Sequence, residues 1–203
     1  MFQGLSKSSL QVLGIAVMAA LLLATGDRSV AATTDHVQAI RQSVAPKVKA
    51  WVADPAVVSA VRAQNRDHEG LTQSEIDRLD KQWRAETKSG SRTLIDSILS
   101  NSLSKFLSGV KGDSQGLYSE VFVMDNKGLN AGQSDVTSDY WQGDEDKWKK
   151  TYLAGPDAIL IGAIEFDEST QAFQSQLSLP VVDPDNGEVI GAVTVGVNVD
   201  FLQ

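Results

Sequence analysis

Gly112-Asp-Ser114-Gln-Gly116 has the G-x-S-x-G spacing that can present a serine as a nucleophile. That chemistry needs a strand before the serine and a helix after it, so that the hydroxyl stands exposed on a sharp turn. The apolar pattern here predicts the reverse order, and the two glycines read as a turn leading into a strand. The two histidines, His36 and His68, lie 32 positions apart, each beside an acidic residue, and the chain has no cysteine. This is not metal-ligand spacing, and the composition rules out thiolate sites and thiol catalysis. Asp183-Pro-Asp185-Asn-Gly187 offers carboxylates as a calcium loop does, but lacks the glycine and glutamate such a loop needs at its sixth and twelfth positions. No catalytic residue, metal or cofactor is expected, and the chain is read as not an enzyme. Binding chemistry remains. Tyr140, Trp141 and Trp148 fall within nine residues of an otherwise polar stretch that also holds Gln142 and Asp144. Aromatic side chains combine a large apolar area with a polar handle, so three together suggest the wall of a site. Any one of them could equally plug the edge of a sheet.

Two kinds of element must position that stretch. The first half reads as helical. Val37, Ile40, Val44, Val48, Trp51 and Val52 recur at steps of three and four, predicting a long helix over 34–53. Pro46 lacks a backbone donor and clashes with the preceding turn, so a kink or break is expected near Val44. Asp54-Pro55 starts a new helix as N-cap and first residue. Thr72-Gln-Ser-Glu75 is a capping box for another, and a last helix is expected over 93–108.

The second half reads as five strands near 119–124, 129–133, 158–166, 171–182 and 188–199, with a short helix over 144–152. Acids lead that helix and Lys147, Lys149 and Lys150 close it, as the helix dipole favours. Gly128 and Gly187 each end a polar turn before a strand and are expected at positive φ. On the last strand Val193, Val195 and Val197 share one face, while Thr194, Gly196 and Asn198 share the other. Gln174, Gln176 and Ser178 alternate in the same way against Leu177 and Leu179. The valine face is expected beneath the long helix. The small, polar face either meets solvent, as antiparallel sheets allow, or floors a pocket.

The amino terminus carries its own signal. Lys7, the 13-residue apolar run Val12–Ala24 and the small residues Ser29-Val-Ala31-Ala32 read as a secretory signal peptide over 1–32, with an uncleaved anchor as the alternative. A membrane span needs about 20 apolar residues. The domain is then 33–203, with a helical part over 33–112 and a sheet part over 117–203. Without Lys7, Asp27 and Arg28 the formal charge moves from −8 to −9, which argues against nucleic acid as a partner. A periplasmic or secreted location is expected.

Gln174 to Leu202, with its Asp-Pro-Asp-Asn-Gly turn, Gly191 and the closing Asp200-Phe-Leu202, resembles the final hairpin of Cache domains, the PAS-like sensors that bacteria place outside the cytoplasmic membrane. The resemblance is closest over Tyr118–Leu202. It implies an α+β fold, with a long N-terminal helix and several short helices packed on a five-stranded antiparallel PAS-like sheet. It also implies that the polar sheet face binds a small molecule beneath the 134–148 loop. The site would then comprise Tyr140, Trp141, Gln142, Asp144, Trp148, Asp167, Gln174, Gln176, Thr194 and Asn198. Amino-acid-binding members use an arginine in the loop and an aspartate on the last strand. Here Arg92 is the last arginine and Gly196 stands at the aspartate position, so a neutral polar or cationic ligand is expected. The resemblance implies a ligand sensor, and the function expected is an exported small-molecule-binding sensor module that, unlike the usual Cache receptor, acts without its own signalling domain. The alternative is a ligand-free interaction domain docking onto a membrane receptor or kinase.

Overall fold

The structure, a computed structural model, describes residues 35–167 and 171–202. The expected signal peptide over 1–32 lies outside the described residues.

The first helix, α1 (residues 35–52), widens into a π turn over Ile40–Val44 before continuing as Ala45–Val52. The wide turn ends two residues before Pro46, so the missing donor and the ring are absorbed by an inserted residue instead of a break. Helix α2 (Pro55–Asp67) is capped by Asp54, whose side chain accepts from the Ala56 backbone N–H at 2.8 Å. The capping box at Thr72 and Glu75 opens α3 (Gln73–Glu86) with both reciprocal bonds in place. The single helix expected over 93–108 is instead two, α4 (Thr93–Leu99) and α5 (Ser102–Asp113). Asn101 makes the break: its side-chain oxygen caps α5 at the Ser104 N–H, and its amide donates to the Ala131 carbonyl of the sheet. Gln115 and Gly116, both at positive φ, turn the chain from α5 into β1, so the G-x-S-x-G stretch closes a helix.

Strands β1 (Tyr118–Met124), β2 (Asn130–Gln133), β3 (Leu160–Asp167), β4 (Ala172–Val182) and β5 (Val189–Asn198) form one antiparallel sheet in the order β2-β1-β5-β4-β3. Between β2 and β3 the helix expected over 144–152 is shorter, α6 (Asp146–Lys149), followed by a 3-10 turn over Tyr152–Ala154. Val193, Val195 and Val197 of β5 are fully buried with Leu177, Leu179 and Val181 of β4. Ile40, Val44 and Val48 of α1, Val57 and Val61 of α2, and Leu103 and Leu107 of α5 cover them. Each such side chain contributes about 1.5–3 kcal/mol on leaving water. Helices on one sheet face leave the other face for a site.

Gly128 and Gly187 take φ of +83° and +75°, yet their surroundings differ. A Cβ on Gly187 would meet no atom within 4 Å, whereas one on Gly128 would lie 2.5 Å from the Gly143 Cα. Gly187→Ala is therefore expected to cost about 1 kcal/mol, from the left-handed backbone alone. Gly128→Ala is expected to cost more than twice that, because Gly143 belongs to the loop that roofs the site. Paired urea melts check this; equal losses would contradict it.

Candidate functional site

The face of the sheet away from the helices is buried at its centre and hollow beyond it. Thr194 and Ala192 of β5 and Ser178 of β4 are fully buried, and the Ser178 and Thr194 hydroxyls share a hydrogen bond of 2.9 Å. Trp148 of α6 and Tyr152 stack at 4.7 Å and pack against Phe122, Met124 and Ala192. The polar face thus does not simply meet solvent; an aromatic lid covers part of it. The uncovered part holds two adjoining hollows, about 360 and 780 Å³, which share Glu145, Lys147, Asp167 and Gln176. The smaller reaches Leu160, Gln174 and Ser178 on the β3 side. The larger runs past Glu120 and Phe122 to Gln142, Asp139 and the end of α3 at Arg84 and Lys88.

Glu120 of β1 lies at the floor. It is buried, and its Oε1 accepts hydrogen bonds from Gln174 Nε2 and Gln176 Nε2, both at 3.0 Å. Ser119 Oγ donates to Gln174 Oε1 and so fixes that amide's orientation. Burial raises the Glu120 carboxyl above the ordinary value; the two amides oppose the shift, nearby Asp167 adds to it and Lys147 opposes it. Glu120 and Gln176 flank Gly196 on either side, in register across three strands. A Cβ on Gly196 would come within 2.8 Å of the Glu120 Cγ. The missing side chain on β5 is therefore what admits a carboxylate from β1 over the same spot.

Two of the cations around the hollows, Lys147 and Arg84, have carboxylate partners. Lys147 Nζ lies 3.0 Å from Glu145 Oε2 and 5.5 Å from the Phe122 ring centroid. Arg84 bridges Asp80 at 2.7 Å and Asp139 at 2.5 Å. Sequence reasoning missed Arg84 because it sought an arginine in the sheet half, whereas helix α3 supplies one from the other half. It also missed Glu120. The available signal was a lone carboxylate in an otherwise buried strand, on the same face as Phe122 and Met124.

Of the ten residues named from the sequence, Gln142, Asp167, Gln174 and Gln176 line the hollows. Thr194 lies beneath them with Ser178. Tyr140 is elsewhere, buried and stacked on Trp83 at 5.4 Å in a second core with Ile76, Ile95 and Leu129. Trp141 packs on the rim of that core and donates its indole N–H to the Lys127 carbonyl at 2.8 Å. Trp148 donates its own to the Asp125 carbonyl at 3.1 Å and serves as lid. Asp144 is exposed, and Asn198 caps the terminal 3-10 turn by accepting from the Asp200 N–H. The three aromatics therefore do not form one wall. Two of them anchor the loop and one roofs the sheet.

The loop itself is held by α3. The Asp80 carboxylate accepts from the Tyr140 and Trp141 backbone N–H groups at 2.9 and 3.1 Å, and Trp83 donates to the Thr137 carbonyl at 2.8 Å. Neither histidine lines the two hollows: His36 Nε2 meets the Gly162 carbonyl at 3.3 Å, and His68 Nδ1 meets the buried Asp125 at 2.7 Å.

No family model matches the sequence, and no curated protein matches it in sequence. Solved structures do resemble the fold. The sensor domain of the V. cholerae histidine kinase DctB is 15% identical, covering 88% of this chain and 56% of its own, with a TM-score of 0.48. The sensory domain of the Campylobacter jejuni chemoreceptor Tlp3 is 12% identical over 72% of this chain and 60% of its own, at 0.41. The ligand-binding domain of the same receptor in complex with L-valine is 16% identical over 92% of this chain and 66% of its own, at 0.38. The chain thus spans less than two thirds of the length of the first two. Helices on one face of an antiparallel sheet ordered β2-β1-β5-β4-β3, with the closing hairpin bringing β5 to its centre, give this chain a PAS-like α+β fold, the one that its resemblance to Cache domains implies.

Proposed function

We propose that the chain is an exported sensor module that binds a small neutral polar or cationic molecule over the polar face of its sheet. The observation that carries this reading is Glu120. A carboxylate buried on a sheet face, held by two neutral amides and facing a hollow, costs folding energy that a structural role does not explain. A cationic or hydrogen-bond-donating ligand recovers that cost. The hollows have the 300–1,000 Å³ range of small-molecule sites. The alternative, a ligand-free domain docking onto a membrane receptor or kinase, would be favoured by Trp141 and Trp148 filling the site, and neither fills the hollow beside Glu120. Export rests on the sequence of residues 1–32. Among the described residues no helix is long and apolar enough to cross a membrane.

The test is a thermal-shift screen of the protein against amines, quaternary ammonium compounds, polyols, nucleobases and monocarboxylates. A binder at 100 times its dissociation constant is expected to add about 2.7 kcal/mol of stability. The expected binders are amines or neutral polar compounds. Binding of monocarboxylates alone, lost on Lys147→Ala, would overturn the ligand class. No shift with any class would overturn the sensor reading.

A further inference from the structure

The two edges of the sheet differ. At β2 the Leu129–Trp141 bridge and the bond from the Asn130 N–H to the Tyr140 carbonyl carry the following loop along the strand. At β3, among the described residues, no strand pairs with the outer side. Proteins blunt an open edge with a bulge, a proline, a charge or a covering element, because its free N–H and C=O groups can pair with another extended chain. The first half of β3 is blunted by a bulge between Ile161 and Ile164, where the Gly162 carbonyl accepts from Ser175 Oγ at 2.8 Å. From 164 to 167 the ladder with β4 is regular, and the run holds neither proline nor lysine. Its charges, Glu165 and Asp167, are both negative, which turns away an acidic strand and admits a basic one.

The two faces of that run differ in chemistry. Ile164, Phe166 and Phe173 share the helix-side face, by alternation with Leu177, and are 41%, 50% and 53% exposed. Phe166 and Phe173 meet edge-on at 5.2 Å. Among the described residues, three of the five exposed large apolar side chains therefore lie at this one corner. Scattered singly they would need no explanation, but clustered on an open edge they mark a contact surface. Glu165 and Asp167 share the other face and line the smaller hollow. An added strand continues both faces, with one set of its side chains beside Ile164 and Phe166 and the alternate set beside Glu165 and Asp167. A second copy of this chain fits poorly. Antiparallel pairing within 164–167, with like faces matched, sets Glu165 opposite Glu165 or Asp167, and like charges directly opposite are unfavourable. Each copy also carries a formal charge of −8.

We infer that β3 is a docking edge for an extended segment of another protein, in which apolar and basic residues alternate. The segment adds a sixth strand antiparallel to 164–167, its apolar side chains covering Ile164 and Phe166 and its basic ones facing Glu165 and Asp167. This goes beyond the sensor reading and stands whether or not the hollow beside Glu120 takes a ligand.

Calorimetric titration of the full chain tests it, with synthetic peptides as long as β3 as probes. One alternates valine with lysine and one alternates valine with glutamate. Two further forms of the first carry methyl groups on the backbone nitrogens of either the valines or the lysines. The valine–lysine peptide is expected to bind about tenfold more tightly than the valine–glutamate peptide, from two cross-strand charge pairs. Glu165→Lys, at an exposed position, is expected to abolish that preference. Alternate N–H groups of an extended chain face opposite sides, so one methylated form is expected to lose binding and the other to keep it. Because the methylated forms are compared on the wild type, misfolding of Glu165→Lys does not protect the inference. Equal affinity for the lysine and glutamate peptides overturns it, as does the absence of binding. So does a preference that survives Glu165→Lys, the mark of diffuse attraction to an acidic chain. Equal affinity for the two methylated forms overturns strand pairing. A concentration-dependent dimer in sedimentation that Phe166→Asp dissociates assigns the edge to a second copy instead.

Discussion

Trp83→Ala is expected to cost 3–5 kcal/mol, the range for removing a large aromatic side chain from a core, and to loosen the roof of the site with it. Trp83 is fully buried, stacks on Tyr140 at 5.4 Å and donates its indole N–H to the Thr137 carbonyl at 2.8 Å. The substitution opens a cavity and leaves a buried carbonyl without its donor, which adds about 1–3 kcal/mol where no water replaces it. A domain of this size is stable by about 5–15 kcal/mol in all, so the loss is a large share. Trp83→Phe keeps much of the packing and loses the bond, and is expected to cost roughly 1–3 kcal/mol. Urea-unfolding midpoints measure both. A change below about 1 kcal/mol for the alanine variant would mean that α3 does not anchor the 134–148 loop.

That anchor shows where the sequence stops being informative. Caps and turns depend on neighbours in the chain, so Asp54, the Thr72–Glu75 box and the glycines at 128 and 187 were readable one by one. Alternation separated the two faces of β4 and β5 correctly for the same local reason. Partners were not readable. Tyr140 looks like a site residue in its polar loop, but its ring is spoken for by Trp83 on a helix far upstream, and periodicity cannot say which helix covers which loop. Arg84 reaches the hollow from α3, so an argument from arginines in the sheet half could not see it. Glu120 needed strand register: only the pairing of Glu120 and Gln176 with Gly196 places that carboxylate over the gap in β5.

Glu120→Gln is expected to weaken amine binding by about ten- to a hundredfold while stabilising the ligand-free protein near neutral pH. The first effect follows from losing a charged hydrogen-bond partner, worth about 1.5–3 kcal/mol. The second follows from linkage. Burial raises the folded carboxyl above its ordinary value of 4.5. Between that value and the raised one the folded state binds more protons than the unfolded state, so stability falls as pH rises through the window. Below the window the cost is absent, and above it the cost is complete. Glutamine carries no charge and can keep hydrogen bonds to the neighbouring amides. The wild type is therefore expected to melt below the variant at pH 7 and to approach it near pH 4. A variant less stable than the wild type at pH 7, by the same calorimetric scan, would assign Glu120 to structure and not to binding.

The central claim is that a small molecule sits on the polar sheet face between Glu120, Gln142 and the β4 amides. Side-chain amide resonances of Gln142, Gln174 and Gln176, followed by heteronuclear NMR during titration with the best binder of the thermal screen, report that location directly. The account predicts that these resonances shift together and saturate at one equivalent, while the Gln64 amide on α2, which donates to Asp125, stays in place. Saturable shifts confined to α2 and its surroundings, with the three site amides unmoved, would contradict it.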